Sequence, residues 1–145
     1  RDFFISYNSQ DRQRAEWIAW QLEQEGYSVY IQAWDFLPGS NFVLEMQLAA
    51  SRSKRTIAVL SENYLDARFT QSEWAAALVQ DPTGERRILL PVRIRECNPE
   101  GILKAIVYID LVGLDEAVAS KRLLDDVRAV VQQRNKPDTP PAFSC

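Results

Sequence analysis

The stretch that decides the fold is Tyr27-Ser28-Val29-Tyr30-Ile31, followed after three residues by Asp35-Phe36-Leu37-Pro38-Gly39-Ser40-Asn41. The first part is an apolar run with the composition of a buried strand. Pro38 and Gly39 then force a loop just past the end of that strand. Because open parallel sheets bind their ligands in loops at strand ends, we predict that residues 35–41 form a functional loop.

Strands and helices alternate on both sides of this loop. Apolar residues at helical spacing predict helices after each of the first three strands, and a last helix at about 115–134. The helical region after Ser61 is broken and reaches about residue 80, and residues 81–84 predict a turn. Short apolar or β-branched runs predict five strands, at 3–6, 27–31, 55–60, 88–92 and 106–109.

This alternation predicts an α/β fold, in which helices cover both faces of a five-stranded parallel sheet. We expect the flavodoxin-like strand order 2-1-3-4-5. A chain of 145 residues suffices for one domain, which we place at residues 1–134. The Pro-rich segment 135–145 is expected to be a linker or tail. The residues expected in the core are Phe4, Ile5, Val29, Ile57, Val59, Leu89 and Leu90.

Composition removes several classes of function. The chain has no histidine, which excludes Ser-His-Asp catalysis and every histidine-ligated metal site. Its two cysteines, Cys97 and Cys145, make no paired metal motif or disulfide framework, so we expect no metal and a reducing, cytoplasmic setting. A net charge of -3 without a basic stripe argues against nucleic acid. No apolar run approaches the roughly 20 residues that span a bilayer, so we expect no membrane insertion.

Polar and aromatic side chains are expected to meet at the carboxyl ends of the strands. Ser6 and Tyr7 follow the first strand, Trp34 and Asp35 follow the second, and Phe69 lies beyond the third. Hydroxyls, aromatic faces and carboxylates suit a nucleotide held by stacking and ribose contacts, so these five residues are our predicted nucleotide pocket. The plain alternative is that Trp34 is a core aromatic and Asp35 only a turn former.

Three segments stand in the order and spacing of a known family. They are Phe3-Phe4-Ile5-Ser6-Tyr7, the loop at 35–41, and Ser72-Glu73-Trp74. Through them nearly the whole chain, from Asp2 to about Arg134, resembles the Toll/interleukin receptor (TIR) domain in the form common in bacterial proteins. The resemblance implies the TIR fold, makes residues 35–41 the BB loop of that family, and implies further domains and a role in immune or defence signalling.

The same resemblance implies an enzyme. In enzymatic TIR domains a glutamate beyond the third strand is the catalytic residue, and Glu73 matches it. Phe69-Thr70 stands where the family often has Trp-Cys, so the aromatic is kept and the cysteine is not. The reaction implied is cleavage of the bond between nicotinamide and ribose in NAD+, which is then a substrate, with no cofactor. Linear ADP-ribose and a cyclic product both remain open.

One carboxylate can suffice for this reaction. Ordinary glycosides need an acid to protonate the departing oxygen, whereas nicotinamide leaves as a neutral ring from a pyridinium cation. Its departure generates an oxocarbenium-like ribose. A preorganised Glu73 carboxylate could oppose that developing positive charge, which is the electrostatic contribution that is usually largest.

The main rival is a scaffold. Many TIR domains catalyse nothing and associate with other TIR domains through the BB loop. Adaptors of this kind often lack the glutamate, so Glu73 favours the enzyme, and both roles can coexist because assembly commonly completes the nucleotide site. A phosphoacceptor receiver is disfavoured, since Ser61 and Ser6 stand where that class needs acidic residues. The loop residues expected to mediate self-association are Phe36, Leu37, Pro38, Gly39, Ser40 and Asn41.

Overall fold

The sheet has five parallel strands in the order β2-β1-β3-β4-β5, which confirms the predicted fold class. The computed structural model describes residues 1–66, 88–99, 106–134 and 136–143. In the described residues the strands are β1 (Phe3–Ser6), β2 (Val29–Ile31), β3 (Arg55–Leu60), β4 (Leu89–Arg93) and β5 (Ile109–Asp110).

Helices surround this sheet. A single 3-10 turn, Ser9–Asp11, leads into the first of them. No helix in the described parts of the chain is both long and apolar enough to cross a membrane. The helices described are α1 (Arg12–Gln24), α2 (Gln32–Asp35), α3 (Phe42–Arg52), α4 (Glu62–Asp66) and α5 (Glu116–Gln132).

The two faces of the sheet carry separate apolar clusters. Side chains alternate between faces along a strand. Ile57 and Val59 of β3 therefore pack with α1 and α5, whereas Ala58 and Leu60 pack with Tyr64 of α4. All seven residues predicted for the core are buried. Helices thus cover both faces, as the alternation of sequence patterns predicted.

Strand β2 begins at Val29, two residues later than predicted, because the end of α1 uses the preceding backbone. Gly26 adopts a left-handed φ of 94° just past the helix. Its N–H donates to the carbonyl of Glu23, and the N–H of Tyr27 donates to the carbonyl of Leu22 at 3.1 Å. This pair of bonds is a Schellman cap, so Tyr27 belongs to the helix end and not to the ladder.

The predicted loop does not follow β2 directly. Residues 32–35 form the single helical turn α2, and the loop begins at Phe36. Asp35 stabilises this turn by accepting a hydrogen bond from the N–H of Ile31 at 2.8 Å. The other end of the loop agrees with the sequence, because Asn41 caps α3 by accepting a hydrogen bond from the N–H of Leu44.

The remaining boundaries shift by a few residues. Strand β4 runs one residue later than predicted, α5 ends at Gln132, and β5 is Ile109–Asp110 and not 106–109. The end of β5 is joined to β4 by an ion pair. Nη2 and Nε of Arg93 donate to the two carboxylate oxygens of Asp110, at 2.9 and 3.2 Å. Those bonds lower the pKa of Asp110. The predicted turn at 81–84 and the helical region beyond Asp66 lie outside the described residues.

Replacing Ile57 by alanine is expected to lower the free energy of unfolding by about 2 to 5 kcal/mol, because the change leaves a cavity in the central strand. Ile57 is fully buried, whereas Val118 on α5 is 46% exposed. Val118→Ala is the matched control, with an expected change within about 0.5 kcal/mol. Urea unfolding followed by circular dichroism measures both, and equal losses would contradict the placement of Ile57.

Candidate functional site

A cleft of about 450 Å³ opens where β1 and β2 end. This volume lies within the range of roughly 300 to 1,000 Å³ that is usual for small-molecule sites. Its walls come from the segment after β1, from α2, and from the predicted interaction loop with the start of α3. The lining residues are Tyr7, Ser9, Arg12, Gln32 and Ala33, together with residues 36–40 and Phe42.

Tyr7 forms the inner wall of the cleft. It is half-buried and packs against the main apolar cluster. Burial raises the pKa of its phenol, while the charge of Arg12 and a hydrogen bond with the backbone of Ala33 oppose that shift. The phenol therefore stays neutral at physiological pH, and Tyr7 contributes an uncharged aromatic side chain to the cleft lining.

Two local features stabilise the side of the cleft that is formed by residues 36–42. Phe36 and Phe42 pack edge to face across the loop, with ring centroids 6.1 Å apart. Between them the N–H of Ser40 donates to the carbonyl of Leu37 at 3.1 Å, and Gly39 has a φ of 91°. A φ of this sign suits glycine because it has no Cβ. Two aromatic rings and a tight turn thus face the half of the cleft opposite Tyr7.

Ser6 does not line the cleft. It is fully buried, and its hydroxyl lies 3.0 Å from the hydroxyl of Tyr64 on α4. Ser61 has a similar position at the end of β3, where its hydroxyl accepts a hydrogen bond from the N–H of Tyr64 and so caps α4. Both serines therefore lie at strand ends, and their hydroxyls join β1 and β3 to α4.

Asp11 is the centre of this strand-end network, and sequence reasoning missed that role. Its side chain is completely buried. One carboxylate oxygen accepts a short hydrogen bond from Ser61, and the other accepts one from Nε of Arg95 at 3.2 Å. Segments after β1, β3 and β4 are therefore tied together at one carboxylate. The signal in the sequence was weak, because an aspartate at a helix start is normally read as a cap.

The side chains of Trp34 and Asp35 form hydrogen bonds outside the cleft. The indole N–H of Trp34 donates to Oε1 of Glu16 on α1 at 2.7 Å. Asp35 accepts from the N–H of Ile31 and, at 3.1 Å, from Arg1. Neither residue lines the cleft, so of the four predicted pocket residues that the structure describes, Tyr7 alone lines it.

Glu73 and Phe69 lie outside the described residues, so their predicted roles stay predictions. Within the described ranges no group of three histidine, cysteine or acidic residues could hold a metal ion. What the cleft itself offers is three aromatic rings, one guanidinium and several polar groups. Such a lining can stack a planar ring and pair with an anion at the same time.

The fold and the cleft together define a class: an open parallel α/β sheet with the order 2-1-3-4-5 and a cleft at its strand ends. The family follows from the sequence, since residues 3–124 match the family model of the TIR domain. This match spans most of the 145 residues. The chain belongs to the TIR-domain family.

Solved TIR domains have a similar fold. The TIR domain of the Toll-related receptor TRR-2 from Hydra magnipapillata superposes with a TM-score of 0.72 at 24% identity, over 88% of this chain and 98% of that one. The TIR domains of the activated Roq1 resistosome give 0.65 at 18% identity, over 87% and 98%. A TIR-STING receptor from C. gigas, solved with 2',3'-cGAMP, gives 0.61 at 21% identity, over 83% of this chain and 38% of the receptor.

Asp11→Ala is expected to lower the free energy of unfolding by roughly 3 kcal/mol, because it leaves the partners of a buried charged acceptor unpaired. Arg95→Ala should cost only about 1 kcal/mol, since water can replace an exposed guanidinium. The Arg95 side chain is 62% exposed. Urea unfolding at pH 7 measures both variants. A loss in Arg95→Ala that equals or exceeds that of Asp11→Ala would contradict the central role of Asp11.

Proposed function

We propose that this TIR domain is an NAD+ nucleosidase that cleaves the bond between nicotinamide and ribose, with Glu73 as its catalytic residue. The observation that carries the proposal is the cleft at the ends of β1 and β2. Its rings, Tyr7, Phe36 and Phe42, suit the planar groups of a dinucleotide, and Arg12 suits its phosphates. The motif Ser72-Glu73-Trp74, which resembles that of enzymatic TIR domains, supplies the carboxylate.

The reaction needs little covalent chemistry from the protein. The carbon–nitrogen bond to the pyridinium ring breaks, the bonding electrons leave with neutral nicotinamide, and positive charge develops on the ribose. A glutamate carboxylate placed beside that ribose would stabilise the charge. Water, or the adenine of the same molecule, would then attack the ribose, so both the linear and the cyclic product fit the proposal.

Self-association is the second role that we propose for the same surface. Four large apolar side chains of the loop and of the start of α3 are exposed. Exposed apolar side chains grouped in one segment of the chain suit a protein contact. The similar TIR domains of the activated resistosome support this role by analogy. The exposed residues are Leu37, Phe42, Val43 and Leu44.

The biological setting of this activity is part of the proposal. We propose a cytoplasmic signalling protein of a bacterial defence pathway, in which further domains control assembly. A free, buried Cys97 is compatible with a reducing compartment. If the domain is purely an adaptor, the apolar surface would still mediate assembly, but the chain would release no nicotinamide.

Glu73→Gln is expected to lower the turnover of NAD+ on the order of a hundredfold or more, because glutamine cannot oppose an oxocarbenium charge. The loss should fall on kcat more than on KM. Glu62→Gln on α4 is the matched control, since Glu62 is exposed and the charge change is the same. Nicotinamide release at equal protein concentration measures both variants, and thermal melts check folding.

Two results would count against the enzyme. Equal rates for Glu73→Gln and the unchanged chain would remove Glu73 from the active site. No nicotinamide release from the unchanged chain, even when it is assembled at high concentration, would favour the adaptor.

Gly39→Ala is expected to reduce self-association and turnover together, because alanine at a φ of 91° strains the loop. A Cβ at Gly39 would meet no atom within 4 Å, so the effect comes from the backbone and not from a clash. Gly113→Ala is the matched control, with a φ of 75° and open space in a different loop. Rate per molecule against concentration, with light scattering for assembly, tests both. Activity strictly proportional to protein would contradict activation by assembly.

A further inference from the structure

We propose that Arg12 is the anion-binding residue of the cleft and receives the diphosphate of the dinucleotide. This inference rests on the proposed function, because it assigns one part of the substrate to one side chain. It concerns a residue that the sequence patterns did not single out.

The charge of the cleft is the first argument. Arg12 is the one charged side chain among the residues that line the described part of the cleft, and no carboxylate lines it there. A cation in a cleft otherwise built from rings, amides and hydroxyls favours a ligand with an anionic centre between planar groups. NAD+ has that form, since its diphosphate lies between the nicotinamide and adenine nucleosides.

The hydrogen bonding of Arg12 is the second argument. Its Nε lies 3.5 Å from Oε2 of Glu16, one turn further along α1. Within the described ranges its two Nη groups have no hydrogen-bond partner in the protein. A guanidinium has five N–H donors in a rigid fork, so the pair with Glu16 leaves most of them free for a bidentate contact with phosphate.

The ion pair with Glu16 is too weak to prevent the Arg12 guanidinium from binding an anion. The Arg12 side chain is 60% exposed, and exposed pairs of this spacing contribute little. The second oxygen of Glu16 is occupied by the indole N–H of Trp34. Glu16 thus contacts both Nε of Arg12 and the indole of Trp34, which connects the predicted residue Trp34 to a residue that lines the cleft.

Tyr7 gives an independent sign that Arg12 acts inside the cleft. The charge of Arg12 lowers the pKa of the Tyr7 phenol against the effect of burial. Because the charge of Arg12 affects the phenol of Tyr7, it lies close enough to attract an anionic ligand bound beside that ring. Arg14 lies two residues further along α1, is also exposed, and does not line the cleft.

The test measures binding of ADP-ribose and of adenosine to the 145-residue chain by calorimetry. Arg12→Gln should weaken ADP-ribose about tenfold or more, because it removes charge-assisted hydrogen bonds. Adenosine, which has no phosphate, should bind equally to both proteins. Arg14→Gln makes the same charge change at the surface and should alter ADP-ribose binding less than about twofold. Arg12→Lys keeps the charge without the fork and should fall between the two.

The outcomes separate this inference from the proposed function. Equal effects of Arg12→Gln and Arg14→Gln, or an equal loss of adenosine binding, would overturn the role of Arg12 while leaving NAD+ cleavage standing. Binding of ADP-ribose that depends on Arg12, without nicotinamide release, would support the anion site and remove the enzyme. No binding of ADP-ribose to the unchanged chain would overturn the inference outright.

Discussion

A buried carboxylate holds together the segments at the carboxyl ends of the strands. Burying the charge of Asp11 is costly unless hydrogen bonds and an opposite charge compensate for it. Ser61 and Arg95 supply them from the segments that follow β3 and β4. Three loops that are distant in sequence are therefore obliged to meet, and α4, which Ser61 caps, starts from a fixed point.

Helix α1 connects the core to the cleft. One of its faces is fully buried against the sheet through residues such as Ile18 and Leu22. Its first turns carry Arg12 and Glu16, which face the cleft and α2. Because the buried face fixes the rotation of the helix, packing determines that Arg12 leaves the helix on the side of the cleft. The placement of the proposed anion site therefore depends on the apolar core.

The fold was predictable from sequence, and the site was predictable only in part. Strand order and core follow from periodicity, which is a property of short segments. The observed boundaries differ from the predicted ones at Tyr27, whose N–H caps α1, and at Asp110, whose carboxylate pairs with the side chain of Arg93. The cleft contains Tyr7 and most of the predicted loop, but Ser6 pairs with Tyr64 and Asp35 pairs with Arg1. Such pairings join residues far apart in the chain, and no local pattern encodes them.

The short outer strands have a consequence for how copies of this domain can meet. Strand β2 has three residues and β5 has two, and at β5 both carboxylate oxygens of Asp110 are occupied by Arg93. An edge of this length offers few free N–H and C=O groups, so it is a poor template for adding a strand from another molecule. Growth of a continuous intermolecular sheet is therefore disfavoured. Ordered assembly of copies is therefore expected to use side-chain contacts. Small changes in a loop can break such contacts and reverse the assembly.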